Sequence, residues 1–193
     1  MKRICVFCGS NFGNKPDYEL AAIAMGQELA RRGLSLVYGG GKVGLMGAIA
    51  DATLAAGGEV IGVIPEFLRL KELDHAHLTE LHIVGSMHER KAKMAELADG
   101  FIAMPGGFGT FEEWFEVLTW SQLGMHSKPI GLLNVSGFYD PLLQFAQHAA
   151  RTGFVREENL SLIVSANEPP SLLNAMQDWQ PVRVSKWMGK AAI

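Results

Sequence analysis

Residues 34–47 read Leu34-Ser35-Leu36-Val37-Tyr38-Gly39-Gly40-Gly41-Lys42-Val43-Gly44-Leu45-Met46-Gly47. The apolar run at the start of this stretch predicts a buried strand, and the pattern from Leu45 to Ala56 predicts a helix that ends at Gly57-Gly58. A glycine turn between a strand and a helix is typical of α/β proteins, in which parallel strands alternate with helices.

The same alternation continues along the rest of the chain. Strands are predicted over Arg3–Cys8, Leu34–Tyr38, Val60–Ile64, Leu81–Val84, Gly100–Met104, Pro129–Asn134 and Leu160–Val164. Helices are predicted over Asp17–Arg32, Leu45–Ala56, Met87–Leu97, Phe111–Leu123, Pro141–Thr152 and Pro170–Trp179, with a long polar connection over 66–79. We therefore expect one doubly wound, Rossmann-like nucleotide-binding domain over 1–193, with a mostly parallel sheet, helices on both faces and a short basic tail over 181–193.

The composition describes a globular chain with a small negative charge. Hydrophobic residues make up 48% and charged residues 19% of its 193 residues, which allows a buried core and excludes intrinsic disorder. Lys plus Arg number 17 and Asp plus Glu 20, so the net charge is −3, which disfavours a protein that grips a nucleic-acid backbone. The N-terminus carries no apolar signal segment, and no window approaches the ~18 apolar residues of a membrane span. We expect a cytoplasmic protein without nucleic-acid or membrane partners.

The cysteines and histidines do not suggest a metal site. Cys5 and Cys8 have C-x-x-C spacing, but on a strand their side chains point to opposite faces, so we expect two separate buried thiols. His75 and His77 lack further His or Cys partners at a zinc-like spacing, and we expect a solvated loop there.

Glycine is abundant, with 22 of 193 residues, and it is concentrated where strands are predicted to pass into helices. Gly39, Gly41 and Gly44 form a G-x-G-x-x-G pattern, yet Glu66 lies further on than the ribose-binding acid of a dinucleotide site. A P-loop is excluded because Val43 follows Lys42. An NAD site, close helix–strand packing and contact with another phosphate or nucleotide all remain open for this turn.

The most informative segment is a second glycine loop, Pro105-Gly106-Gly107-Phe108-Gly109-Thr110-Phe111-Glu112-Glu113-Trp114. Its glycines leave backbone N–H groups uncovered ahead of a helix, which favours a phosphate site. Thr110 and Glu113 have capping-box spacing, so Thr110 is predicted to be the N-cap. Two carboxylates beside a phosphate would repel it, and they make sense if the ligand also develops positive charge.

A third segment, Ser86-Met87-His88-Glu89-Arg90-Lys91-Ala92-Lys93, places cations in the first turns of a helix. Ser86 and Glu89 predict another capping box. Cations near a helix N-terminus are disfavoured by the helix dipole, and Arg90 is better explained if it faces an anion or a carboxylate. A solvated helix face is the alternative.

Together, these last two segments resemble the Lonely Guy (LOG) family of cytokinin riboside 5′-monophosphate phosphoribohydrolases, some of which carry an older lysine decarboxylase label. Similar stretches include Cys8-Gly9-Ser10, Tyr38-Gly39-Gly40-Gly41, Gly44-Leu45-Met46-Gly47 and Lys128-Pro129-Ile130-Gly131-Leu132-Leu133-Asn134. The resemblance implies hydrolysis of a nucleoside 5′-monophosphate, no cofactor and a homodimer. It implies a catalytic pair of Arg90 and Glu113, and it implies that the substrate is bound by Gly9, Ser10, Gly40, Gly41, Met46, Glu72, Lys91, Gly106, Gly107, Phe108, Gly109, Thr110, Phe111, Glu112 and Thr119.

The residue chemistry fits this activity. Cleavage of an N-glycosidic bond passes through a cationic, oxocarbenium-like ribose, which a carboxylate such as Glu113 stabilises while it orients the attacking water. A pyridoxal-phosphate decarboxylase needs a Schiff-base lysine in a cofactor site, and no lysine here has that context. Two alternatives remain: a non-catalytic nucleotide carrier or sensor of the same fold, and an NAD-dependent oxidoreductase.

Overall fold

A computed structural model describes residues 1–69 and 75–181. Its strands are β1 (Arg3–Phe7), β2 (Ser35–Tyr38), β3 (Val60–Pro65), β4 (Glu80–Val84), β5 (Gly100–Ala103), β6 (Ile130–Leu133) and β7 (Ile163–Ala166). Its α-helices are α1 (Pro16–Arg31), α2 (Gly44–Ala55), α3 (Glu66–Arg69), α4 (Met87–Leu97), α5 (Phe108–Gln122), α6 (Asp140–Arg151) and α7 (Pro169–Asp178). Short 3₁₀ turns cover Val135–Gly137 and Glu157–Leu162.

The seven strands form one sheet in the order β4-β3-β2-β1-β5-β6-β7, and every pairing in it is parallel. The α/β, doubly wound fold expected from the sequence is therefore confirmed. The strand order reverses between β1 and β5, which pair through Ile4–Gly100 to Phe7–Ala103. In open sheets of this kind, ligands bind beyond the carboxyl ends of the strands next to such a reversal.

Helices cover both faces of the sheet, and β1 shows how the chain divides between them. Ile4 and Val6 join the core under α1, α2 and α7, whereas Cys5 and Phe7 join the core under α4, α5 and α6. This alternation follows from the two-residue period of a strand. Cys8 belongs to the first core, so the two free thiols are buried on opposite sides, as predicted, and burial raises the pKa of each.

Several predicted boundaries are wrong. Helix α5 begins at Phe108, three residues before the predicted start, because Gly107 is its N-cap and Gly109 lies within its first turn. Strand β7 begins at Ile163, since a 3₁₀ turn takes up the preceding residues. Of the predicted tail, only 181 lies within the described residues. Among the helices of the described residues, none has the length and apolar content of a membrane span.

Candidate active site

Three strand-to-helix loops meet at the carboxyl edge of the sheet, where β1, β2 and β5 end. The N–H of Gly9 donates to the carbonyl of Pro105 at 3.0 Å, and the N–H of Leu45 donates to the carbonyl of Gly9 at 3.0 Å. The structure thus brings Gly9 and Ser10 against the 106–110 loop and against the start of α2, which follows the loop that carries Gly40 and Gly41. This packing requires glycine at 106, because a Cβ there would lie 2.8 Å from Thr110 Cβ and 2.9 Å from Gly9 N.

The start of α5 presents free backbone amides at this edge. Its N-cap is Gly107, and among the described residues no side chain accepts a hydrogen bond from the first turn. The prediction that Thr110 is the N-cap is therefore wrong: Thr110 lies inside the helix and is buried against Gly106. This uncapped start suits the predicted anion site, because the three N–H groups of 108–110 have neither helical nor side-chain acceptors.

Arg90 is buried beside the same edge and held by main-chain oxygens. Its Nε donates to the carbonyl of Val63 at 3.2 Å, and Nη2 donates to the carbonyl of Gly39 at 3.4 Å. The guanidinium occupies the space that a side chain at 39 would need, since a Cβ there would lie 2.9 Å from Arg90 Cζ. These bonds fix a buried guanidinium without neutralising it, so its charge remains directed at the site.

Glu113 faces Arg90 across the edge. Arg90 Nη1 lies 3.6 Å from Glu113 Oε1, and both side chains are 11% exposed. Burial raises the pKa of Glu113 above the ordinary glutamate value, and it outweighs the opposing effect of Arg90. A carboxylate with a raised pKa, facing a fixed cation, is suited to accept and return a proton.

Lys91 and Glu112 form a second bridge between α4 and α5. Lys91 Nζ donates to Glu112 Oε1 at 2.5 Å and to Glu116 Oε1 at 3.1 Å. Burial lowers the pKa of Lys91, but the two carboxylates more than compensate and raise it overall. The Arg90–Glu113 pair lies next to this bridge, so two ion pairs lie side by side between α4 and α5.

The other predicted site residues lie at varying distances from this pair. Met46 is half-buried on α2, and the Phe111 ring packs 6.3 Å from that of Phe138 and 6.4 Å from that of Tyr139. Phe108, the first residue of α5, is 91% exposed. Thr119 is exposed two helical turns beyond Glu112, with its hydroxyl donating to the Phe115 carbonyl at 2.7 Å. Glu72 lies outside the described residues.

The Ser86–Glu89 capping box forms in part. The N–H of Glu89 donates to Ser86 Oγ at 3.1 Å, but the Glu89 carboxylate accepts from the N–H of Gly85 at 2.8 Å rather than from Ser86. The cap places Arg90 in the first turn of α4 with its side chain turned inward, so the alternative of a solvated helix face is wrong for Arg90.

Sequence reasoning missed the groups that hold the site together. The carbonyls of Val63 and Gly39 orient Arg90, and a backbone acceptor has no sequence signal of its own. His75 was expected in a solvated loop, but it is 8% exposed and lies 2.9 Å from Asp51. Within the described residues, no group of three His, Cys, Asp or Glu side chains is arranged to hold a metal ion.

Known proteins resemble this chain in sequence and in fold. A probable cytokinin riboside 5′-monophosphate phosphoribohydrolase of Oryza sativa subsp. japonica is 51% identical over 181 residues, 94% of this chain and 80% of that protein. A cytokinin riboside 5′-monophosphate phosphoribohydrolase of Arabidopsis thaliana is 51% identical over 180 residues, 93% of this chain and 84% of that protein.

Solved structures share the architecture at low sequence identity. The molybdenum cofactor binding protein of Rippkaea orientalis superposes with a TM-score of 0.69 at 23% identity, covering 92% of this chain and 96% of that one. This likeness concerns the fold alone. The family model described as possible lysine decarboxylase matches residues 46–176. With that match and relatives 51% identical over more than nine-tenths of its length, the chain belongs to the Lonely Guy (LOG) family.

Proposed function

We propose that this protein hydrolyses the N-glycosidic bond of a nucleoside 5′-monophosphate and releases the free base and ribose 5-phosphate. The substrates are N6-modified AMP, such as a cytokinin riboside monophosphate, and AMP itself. One observation carries the proposal: a buried glutamate with a raised pKa, Glu113, faces the fixed guanidinium of Arg90 beside an uncapped helix N-terminus. The names of the relatives that are 51% identical support it.

The substrate phosphate binds the backbone amides at the start of α5. Gly106–Thr110 supplies these N–H groups, and Gly9, Ser10, Gly40 and Gly41 form the neighbouring wall of the site. Glu113 follows the first helical residue by five positions, a rise of about 7.5 Å at 1.5 Å per residue. That span matches the size of a ribose 5-phosphate, so a phosphate on the amides brings the anomeric carbon close to Glu113.

The reaction then needs only groups that the site holds. The C1′–N bond breaks with its electron pair going to the base, and positive charge develops on the ribose, where the Glu113 carboxylate stabilises it. A water oxygen bonds to C1′, and its proton passes to Glu113 and on to the departing base. Arg90 orients the Glu113 carboxylate and binds ribose or phosphate oxygens, for which a guanidinium fork is suited.

We also propose that two copies associate and close the site. Exposed apolar side chains line α5 and the adjacent start of α4: Met87, Phe108, Phe115 and Leu123 are between 36% and 91% exposed. An exposed apolar patch beside an active site is characteristic of an interface. In this proposal 1–193 act as one nucleotide-binding domain in the cytoplasm, without nucleic-acid partners, since the net charge is −3.

Incubation with N6-isopentenyl-AMP and with AMP, followed by chromatography, tests the activity. We expect free base and ribose 5-phosphate in equal amounts from at least one of them. Absence of free base from both would overturn the proposal. Thermal stabilisation by either nucleotide without turnover would instead identify a nucleotide carrier or sensor.

A further inference from the structure

His75 joins three separate segments of the chain. Its ring Nε2 lies 2.9 Å from Asp51 Oδ1 on α2, and its backbone N–H donates to the carbonyl of Gly40 at 3.0 Å. The N–H of His77 donates to His75 Nδ1 at 3.3 Å. Because Nδ1 accepts this bond, the ring proton is on Nε2, which donates to Asp51. The backbone N–H and both ring nitrogens of this buried residue are therefore engaged.

The turn that His75 holds is the one that holds Arg90. The carbonyl of Gly39 accepts from Arg90 Nη2 at 3.4 Å, and the next residue, Gly40, has a φ of +75°, in the left-handed region. Three consecutive glycines, from 39 to 41, are the least restrained backbone a chain can have. A bond from outside the turn is thus needed to keep the Gly39 carbonyl where the guanidinium meets it.

We propose that His75, oriented by Asp51, is a positioning residue for the hydrolysis. It acts on Arg90 through the glycine turn. This inference rests on the proposed function, because it takes Arg90 as the partner of Glu113. The ring of His75 anchors its backbone N–H beneath the Gly40 carbonyl by bonding to Asp51. Without that anchor the backbone bond to Gly40 weakens, the turn relaxes and the guanidinium moves away from Glu113. A displacement of about 1 Å of a group that orients the reaction costs about a hundredfold in rate.

Substitutions at 75 and 51 test this chain of contacts, with His77→Ala as the matched control from the same loop. The hydrogen bond from His77 comes from its backbone N–H, and its ring packs edge-on 6.4 Å from the His75 ring, so His77→Ala removes a ring contact but keeps every hydrogen bond of His75. We expect His75→Ala and Asp51→Ala to lower kcat for N6-isopentenyl-AMP about tenfold or more, with KM changed less than about threefold. Asp51→Asn keeps an oxygen acceptor for Nε2–H and is expected to restore kcat to within about threefold of the wild-type value.

A double variant separates positioning from a general structural role. If His75 acts through Arg90, His75→Ala will lower kcat much less in an Arg90→Lys background than in the wild type, because coupled residues are not additive. Equal losses in both backgrounds, or a loss matched by His77→Ala, would overturn the proposal. Asp51 is 72% exposed at its side chain, so Asp51→Ala provides the test even where His75→Ala does not fold.

Hydrogen exchange gives a readout that does not depend on turnover. We expect amide exchange over 38–44 to accelerate about tenfold or more in His75→Ala and to stay unchanged in His77→Ala. Wild-type protein that releases no base from any nucleotide would overturn the proposed function. The exchange experiment would still test whether His75 holds the glycine turn. Unchanged amide exchange together with unchanged kcat in His75→Ala and Asp51→Ala would overturn the positioning role of His75 and leave the proposed hydrolysis standing.

Discussion

Two glutamates with similarly small exposed side-chain fractions have pKa values that are shifted in opposite directions. The Glu28 side chain, on α1, is 10% exposed, and the Glu113 side chain, on α5, is 11% exposed. Glu28 accepts hydrogen bonds from Arg31 at 2.6 and 2.7 Å and from Arg32 at 2.6 Å. Glu113 has its arginine at 3.6 Å, beyond hydrogen-bond distance.

The pKa values follow from this difference and from the greater depth of Glu113 in the protein. The hydrogen bonds from Arg31, supported by Arg32, lower the pKa of Glu28 to about 2, whereas burial dominates at Glu113 and raises its pKa. Arg90 is held back from Glu113 because its other nitrogens are bonded to the carbonyls of Val63 and Gly39. Glu28 lies near the surface and is covered by two bonded arginines, which makes a structural ion pair on α1. Glu113 lies deeper and beyond hydrogen-bond distance of its arginine, which leaves a carboxylate ready for proton transfer on α5.

The largest effect is expected from Glu113→Gln, which keeps the shape of the side chain and removes the base. We expect kcat for N6-isopentenyl-AMP to fall by about 10²–10⁴, the range for loss of a general base. Glu28→Gln is the matched control and should leave kcat unchanged. Chromatographic measurement of released base compares the two, and wild-type turnover in Glu113→Gln would reject the assignment of Glu113.

Arg90→Ala is expected to lower kcat/KM by about a hundredfold or more, because it leaves a buried carboxylate without its cation. Arg90→Lys should recover part of the loss, since a lysine keeps the charge but not the fork that bonds both carbonyls. The control is Arg31→Ala, which removes an arginine from the other glutamate and should not affect turnover. Equal kinetics for Arg90→Ala and Arg31→Ala would contradict the proposed site.

Two glycines of the 106–110 loop, at 106 and 109, offer a milder comparison. A Cβ at 106 would meet Thr110 and Gly9, whereas one at 109 would meet open space. We expect Gly106→Ala to raise KM about tenfold or more, because it displaces the backbone amides that bind the phosphate. Gly109→Ala should change KM less than about threefold. Steady-state kinetics with AMP measures both, and equal KM values would argue against this loop as the phosphate site.

The pH dependence of kcat should report the raised pKa of Glu113. Because the ionised form accepts the proton, activity falls as the pH drops through that pKa, so the acid limb should lie above the ordinary glutamate value of 4.5. Arg90→Lys moves the cation and is expected to shift the limb, while Glu28→Gln is not. An acid limb at or below the ordinary glutamate value would contradict the raised pKa.

The smallest expected effect is on stability, and it has opposite signs at the two glutamates. The lowered pKa of Glu28 contributes stability above the ordinary value of 4.5, and this is lost as the pH falls toward about 2. Glu28→Gln should therefore lower Tm at neutral pH by a few degrees, with the difference shrinking in acid. The raised pKa of Glu113 disfavours the folded state above it, so Glu113→Gln should not lower Tm at neutral pH. Thermal unfolding across pH tests both signs.

Local pattern was sufficient for most of the fold. The alternation of apolar runs and helical patterns predicted the parallel sheet, and the glycines at strand ends located the edge where the candidate site lies. The predicted start of α5 was wrong because the spacing of Thr110 and Glu113 matches a capping box, whereas the helix begins at Phe108 with Gly107 as its N-cap and with Thr110 packed against Gly106. The capping-box spacing of Thr110 and Glu113 therefore did not decide where the helix starts.

The motif around Arg90 and the glycine loop, both visible in the sequence, determined the family, the kind of chemistry and the pair of residues proposed to carry it. Only the tertiary structure decided that Arg90 is held by carbonyls from β3 and the β2 turn, that Glu113 stays beyond its hydrogen-bond reach, and that His75 is buried against Asp51. The physical reason is range. Periodicity and turn chemistry act over a few residues, whereas burial, backbone acceptors and the pKa of Glu113 depend on groups that the sheet brings together from distant parts of the chain.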